Sequence, residues 1–426
     1  MKMDSHSQKD HPLRTLLANE VHARPFLKIQ HRSIIFHLGI FSSEDPDVHE
    51  RLLNQLCAAL GIQPPAQDIS AFFHEEAGVT VKWSRHTEFS SYTFVYDLPS
   101  IDTDEILLCH HHLLPPSWYQ SIQHCLITAV RVLALNREDY QEKERIAHQL
   151  FNGRTLVNSR VLSGGEVLCD WKLNPDGFSS MLVYDVDFRE RQLGRAVQRL
   201  LEIEDYRMMA LLALPIARQM AQELFFLESE LSSFIALIDA GQTTSDADLL
   251  IQLTSLSAKI HKYYHHSSRF SASIAYDDIV RSRIHELRET RIEGYPTVGE
   301  FMDRRLKPAI DTCRTIIVRH EQLAKNVSRA ADLLRTRVNL VQEKQTNSLL
   351  AGMNKTANSQ LLMQKAVEGL SVAAISYYIV NLIGVGLKAV HHLGVDVNVE
   401  VAEFLILFPT VYMVYKHSLA IKKIKV

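Results

Sequence analysis

The sequence predicts an α+β domain, then a helical body with one very long stalk helix, and last an apolar two-helix hairpin at the C-terminus. Three observations carry this. β-rich runs separated by turn signals stop near Phe188, and helical periodicity replaces them. No proline occurs from Ala309 to Lys388. The stretch from Gly369 to Leu387 carries no charge and as a helix would measure roughly 28 Å, close to the hydrocarbon thickness of a bilayer. The divisions fall at 1–188 for the α/β domain, 189–365 for the helical body and stalk, and 366–426 for the hairpin with its basic tail.

The first part reads as mixed α/β. "SIIFHLGI" is a strand pattern, and "DPDVHERLLNQLCAALG" follows as a helix with an Asp start and a Gly stop. "VTVKWSRH", "SSYTFVYDL" and "CLITAVRVLAL" read as strands. In "TLVNSRVLSGGEVLCDWKLNPDGFSSMLVYDVDF" three β-rich runs are separated by "SGG" and "NPDG" turns, which predicts an antiparallel meander.

After Phe188 the segment "GRAVQRLLEIEDYRMMALLALPIARQMAQELFFLESELSSFIALI" reads as one long helix or a pair kinked around Pro215. Helices over Leu249–Tyr264 and Ala275–Ile292 follow, and "EGYPTVGEF" punctuates the chain before the stalk. Along the stalk, Cys313, Ile317, His320, Ala324, Val327, Ala331, Leu334, Val338, Val341 and Gln345 alternate at spacings of four and three. Such a seam packs either against earlier helices of the same chain or against the same helix of another subunit.

Composition bounds the rest. Charged residues at 22% and hydrophobic residues at 46% describe a largely soluble chain, so any membrane portion is local. The net charge of −3 says nothing about partners, and no nucleic-acid partner is expected. The five cysteines include no C-x-x-C pair, which argues for a reducing compartment and against a disulfide framework.

The uncharged run predicts a span over about 367–388, and "FLILFPTVYMVY", extended back to Val397, predicts a second over about 398–416. Lys416, Lys422, Lys423 and Lys425 follow the second run, while Lys344, Lys355 and Lys365 precede the first. By the positive-inside rule both termini are then cytoplasmic, with a short external loop between the spans and the lipid bilayer as partner.

Gln360, Gln364, Glu368, Ser371 and Tyr378 fall close together around the helix axis, with Asn381 just outside that arc. These residues either line a pore formed by several subunits or pair with the second span. Gly384, Gly386, Asp396, Glu400 and Glu403 mark the external loop and its entrance. On the cytoplasmic side, Asn19, Glu20, His22 and Arg24 form one polar cluster and Arg85, His86 and Glu88 another; each suits an anionic ligand or a structural salt-bridge network. "CHHHLLPP" and "HKYYHH" either bind metal, His261 and His265 being four apart on one helix face, or are surface histidines, the reading favoured because no H-E-x-x-H glutamate accompanies them. No phosphate loop, dinucleotide fingerprint, nucleophile elbow or kinase set is present, so an enzyme is not expected. No cofactor is implied either, apart from a divalent cation.

"NEVHARPF", "WSRHTEF", "RLLEIEDYRMMALLALPIAR", "LLRTRVNLVQEKQ" and "VEGLSVAAISYY" resemble a bacterial membrane-anchored family catalogued as domain of unknown function 3422. That resemblance runs from Leu13 to about Gly386 and implies anchoring in the bacterial inner membrane. The order of parts is also similar to the CorA class of magnesium channels, which implies a homo-oligomer, a pentamer foremost, that conducts an ion or regulates its passage. Where that class carries a Gly-Met-Asn motif this chain reads "IGVGLKAVHH", so no selectivity residue carries over. The alternative expectation is a membrane-tethered scaffold or ligand sensor without transport activity.

Overall fold

The computed structural model describes residues 11, 14, 26–29, 32–42, 45, 47–66, 69–76, 78–98, 113–151, 156–189, 191–239, 246–392 and 398–424. Nine strands are found among them: β1 Ser33–Phe41, β2 Ala71–Glu76, β3 Val79–Arg85, β4 Phe89–Asp97, β5 Leu126–Leu135, β6 Val157–Val161, β7 Gly165–Leu173, β8 Ser179–Asp185 and β9 Thr290–Arg291. They form one sheet in the order β2-β3-β4-β1-β5-β8-β7-β6-β9. The predicted meander is β6-β7-β8, antiparallel throughout. β5 and β8 pair in parallel and join it to the N-terminal strands.

Central strands are apolar on both faces because helices cover both. On one face Ile34, Phe36 and Leu38 of β1 meet helices α1 Val48–Leu60, α2 Pro116–Ile122 and α3 Lys143–Phe151. The C-terminal stop of α1 is Gly61, at φ 71°, where glycine has no Cβ to clash. On the other face Ile35, Val130 and Val132 meet α4 Gln192–Leu211. The pleat alternates side chains between these two cores, so a residue's parity along its strand decides which core it enters.

The predicted helix or kinked pair is a pair: α4 ends at Leu211 and α5 runs Ala213–Asp239. Pro215 sits in the first turn of α5, where its missing N–H leaves no intrahelical bond unmade. Helices α6 Asp246–His261, α7 Ser267–Leu287, α8 Val298–Arg305, α9 Lys307–His392 and α10 Val399–Ile424 complete the chain. α8 begins with a capping box between Thr297 and Glu300.

Two compact units result, one of residues 1–242 and 252–329, the other of residues 243–251 and 330–426. In the first, the stalk seam is buried within the chain: Cys313 and Val327 are inaccessible, Arg319 donates to Glu228 of α5 at 3.1 and 2.7 Å, and His320 Nε2 lies 3.0 Å from the Ile260 carbonyl oxygen of α6. In the second, Leu334 is buried and Arg337 pairs with Asp246 at 3.2 Å. Beyond Val338 the seam is uncovered, Val341 and Gln345 being exposed, as are the neighbouring Leu340, Leu349, Leu350 and Met353.

α9 and α10 of the second unit form an antiparallel pair. Ser418 Oγ donates to Glu368 Oε1 at 2.9 Å at one end, and Gly384 lies beneath the Glu403 carboxylate at the other. Between these ends the least exposed positions recur every fourth residue: Val372, Ser376 and Val380 on α9, and Ile406, Thr410 and Val414 on α10. Such i±4 rows with small residues permit close helix approach. The outer surface is apolar, with Leu370, Tyr377, Leu382, Phe404, Leu405 and Phe408 exposed.

Among the described residues two helical stretches are long and apolar enough to cross a membrane by length and composition. Gln192–Asp239 is about one third buried over its most apolar part, whereas Val298–Ala389 is almost wholly exposed over its own. The first includes α4, a core helix. α10 is not among them, because Glu400, Glu403 and Lys416 interrupt its apolar run.

Candidate functional site

On the sheet face covered by α4, apolar alternation gives way to polar residues. The registers place His37 of β1 opposite Thr93 of β4, and Thr93 opposite Lys82 of β3. One step along, Gly39 faces Ser91, which faces Ser84. Above this polar row, α4 presents Gln198, Glu202, Asp205 and Tyr206, and α7 adds Arg283 and Glu286; together they line a cavity of about 260 Å³. Phe26 forms part of its wall.

At the floor, His37 Nε2 donates to Asp205 Oδ2 at 2.8 Å, and Thr93 Oγ1 lies 2.8 Å from His37 Nδ1. All three residues are buried. With Nε2 carrying the proton, Nδ1 accepts from the Thr93 hydroxyl. The second Asp205 oxygen, Oδ1, is buried and has no hydrogen-bond partner among the described residues. Gly39 makes its position possible, since a Cβ there would stand 2.8 Å from Oδ1 and 2.9 Å from Thr128 Cβ. A lone acceptor of this kind is costly unless a donor meets it.

The walls are a chain of charged hydrogen bonds. Lys82 Nζ donates to Gln198 Oε1 at 3.3 Å and Gln198 Nε2 to Glu202 Oε1 at 2.8 Å. Arg283 joins Glu202 to Glu286, and Arg199 Nε donates to Glu286 Oε2 at 2.9 Å. Tyr206 Oη lies 3.3 Å from His86 Nδ1, and the His86 ring stacks on Phe89 with centroids 4.2 Å apart. The cavity thus offers an ammonium and a carboxylate oxygen on opposing elements, which suits a small polar ligand carrying both an acceptor and a donor.

The sequence-based cluster Arg85, His86 and Glu88 is divided by the pleat. His86 shares the cavity side with Lys82 and Ser84. Arg85 turns to the opposite face near His49, where burial first and this guanidinium second push the His49 imidazole down to about 4. His49 Nδ1 lies 2.8 Å from Ser90 Oγ. Glu88 accepts from Arg269 at 3.0 Å and from the Tyr276 hydroxyl at 2.7 Å; burial, then Glu88, raises the Tyr276 phenol above its ordinary range. Asn19, Glu20, His22, Arg24 and Asp396, with the histidines of "CHHHLLPP", lie outside the described residues. Among the described residues no three His, Cys, Asp or Glu side chains gather as a metal site.

Of the polar stripe on α9, Gln364, Glu368 and Ser371 line a groove of about 1,040 Å³ shared with Thr410, His417 and Ser418 of α10. Ser371 Oγ donates back to the Val367 carbonyl at 2.8 Å. Gln360, Tyr378 and Asn381 are exposed outside that groove. Gly386 and Glu400 are exposed, while Gly384 is buried under half-buried Glu403.

Sequence reading missed His37, Lys82, Thr93 and Asp205. The available signal was polar residues at positions of strand parity otherwise filled by Ile35, Val95 and Val130. No curated relative matches the chain. The family described as protein of unknown function, DUF3422, matches residues 9–425, and the chain belongs to that family.

Proposed function

We propose that this protein is a membrane-tethered ligand sensor, whose α/β unit binds a small polar molecule in the cavity floored by His37 and Asp205. One observation carries the reading: motifs far apart in the chain converge there. Phe26 closes "NEVHARPF", His86 belongs to "WSRHTEF", and Glu202, Asp205 and Tyr206 belong to "RLLEIEDYRMMALLALPIAR". The buried Asp205 Oδ1, without a hydrogen-bond partner among the described residues, supports a ligand that donates a hydrogen bond, and Lys82 supports an acceptor on the same molecule. The uncharged run of α9 and the apolar exterior of the α9–α10 pair support anchoring in a bacterial inner membrane.

The test is thermal unfolding of the full chain in neutral detergent with amino acids, hydroxy acids and sugar phosphates at millimolar concentration. A compound that stabilises the wild type but not Asp205→Asn or Lys82→Met identifies the ligand class. A panel without any Asp205-dependent shift counts against the reading. Anchoring is checked by alkaline washing of membranes, which leaves the full chain in the pellet and releases a chain ending before Val367.

A second reading is ion passage by a CorA-like homo-oligomer. It is favoured by Gln360, Tyr378 and Asn381, polar positions of α9 that face neither α10 nor a core. Native mass spectrometry returning a pentamer, with liposome flux lost in Glu368→Ala and Gln364→Leu, would establish it; a monomer or dimer with unchanged flux removes it.

A further inference from the structure

A second cavity of about 490 Å³ lies on the opposite half of the sheet, between the end of β7, the end of α4, and α8. Its centre is Trp171, in an irregularity where the β7–β8 register shifts between Cys169 and Leu173. Trp171 has φ 55°, a left-handed conformation rare for a bulky side chain. β-bulges and strained residues concentrate at binding sites, where they re-aim a side chain.

The re-aimed indole is 8% exposed and stacks with Phe301 at 6.1 Å between centroids. The Arg207 guanidinium lies 5.6 Å from its ring centre, held by two bonds to Glu204 at 2.8 and 2.6 Å. The Trp171 indole N–H is buried and has no acceptor among the described residues.

Around this aromatic floor stand Lys172, Arg304 and Arg305, which are exposed and have no acidic partner among the described residues. Asp170, the acidic residue of the lining, is already engaged through the Lys172 backbone N–H at 3.1 Å. Elsewhere on this unit cations such as Arg199, Arg283 and Arg319 are held in ion pairs.

We propose that this cavity binds a small organic anion, a phosphate or carboxylate carried on an apolar or ring-shaped body. The anionic group would meet Lys172, Arg304 and Arg305, and the body would rest against Phe301 and the apolar wall. Guanidinium pairs suit planar, bidentate recognition of such groups. The site is separate from the His37–Asp205 cavity and does not depend on it.

The test uses phenyl phosphate and inorganic phosphate as probes of the full chain in neutral detergent, followed by tryptophan fluorescence. Phenyl phosphate should give a saturable change that is absent in Trp171→Phe, and should bind at least tenfold more tightly than inorganic phosphate. The double variant R304Q/R305Q, altered only at exposed positions, should weaken binding at least tenfold with its thermal unfolding unchanged. No saturable change in wild type, equal affinity for both probes, or an unaffected arginine variant would each overturn the proposal. If Trp171→Phe does not fold, the arginine variant and the comparison of probes still decide it.

Discussion

The imidazole of His37, on β1, the fourth strand in a nine-stranded sheet, is bonded at 2.8 Å to Asp205, which is 168 positions away on the helix above. The pair lies where the interface between sheet and α4 is polar, and it forms the floor of the cavity. Helix and sheet are therefore coupled there by a buried side-chain hydrogen bond beside the apolar packing of Ile35, Val130 and Leu201.

Replacing Asp205 by alanine removes the partner of a buried imidazole, at a cost of about 2–4 kcal/mol. Asp205→Asn retains volume and one acceptor and should cost less. Urea unfolding of both variants checks this; equal midpoints for wild type and Asp205→Ala would show that the pair is not coupled to folding.

Gly39→Ala should destabilise by about 1–3 kcal/mol, because the added methyl meets Asp205 Oδ1 at 2.8 Å and backbone-anchored Thr128 at 2.9 Å. Any ligand signal from the His37–Asp205 cavity should fall with it. The same denaturant series reads the stability change.

His49 makes the α/β unit acid-sensitive. Burial first, and then Arg85, hold its folded-state pKa at about 4 against an ordinary 6.5. Between those values the unfolded chain binds the extra proton, so the stability is complete above pH 6.5 and is lost as the pH falls toward 4. The loss amounts to about 2–3 kcal/mol. Chemical unfolding at pH 7 and 4.5 should show a smaller drop in His49→Gln than in wild type; identical drops would assign the acid sensitivity elsewhere.

Arg288 caps α7 in the left-handed conformation, at φ 48°. Glycine adopts that conformation without a Cβ penalty, so Arg288→Gly should stabilise by about 0.5–1 kcal/mol. A rise in thermal midpoint of the full chain verifies it, and a fall would point to a contact made by the arginine side chain.

Gly384→Leu should loosen the seating of α10 on α9, since a leucine side chain would need the space that the Glu403 side chain fills as far in as its Cγ. Limited proteolysis should then cut α10 faster than in wild type. Gly386→Leu, where a Cβ meets nothing within 4 Å, is the matched control.

Several features were legible in the amino-acid order because they rest on local rules. Strand patterns at Ser33–Ile40 and Cys125–Leu135, turns within the β6-β7-β8 meander, and the stalk periodicity all follow from period and turn chemistry, and the structure contains each to within a residue at the strand ends. β2 was missed because "AFFHEE" alternates too weakly: it is an edge strand, only half-buried. The Arg85, His86 and Glu88 group looked like one cluster because sequence neighbours look like spatial neighbours. Pleating sends Arg85 to one core and His86 to the other, so adjacency along a strand is separation across the sheet.

By itself the sequence determined where strands yield to helices, where the uncharged run lies, and which part of the stalk carries an apolar seam, since each depends on residues a few positions apart. Only the tertiary structure decided that Cys313 to Val327 of that seam pack within the chain, and that His37, Lys82, Thr93 and Asp205 surround one cavity. Those residues meet through cross-strand register and the seating of α4. Both are set by long-range burial of apolar surface, which no short window of sequence contains.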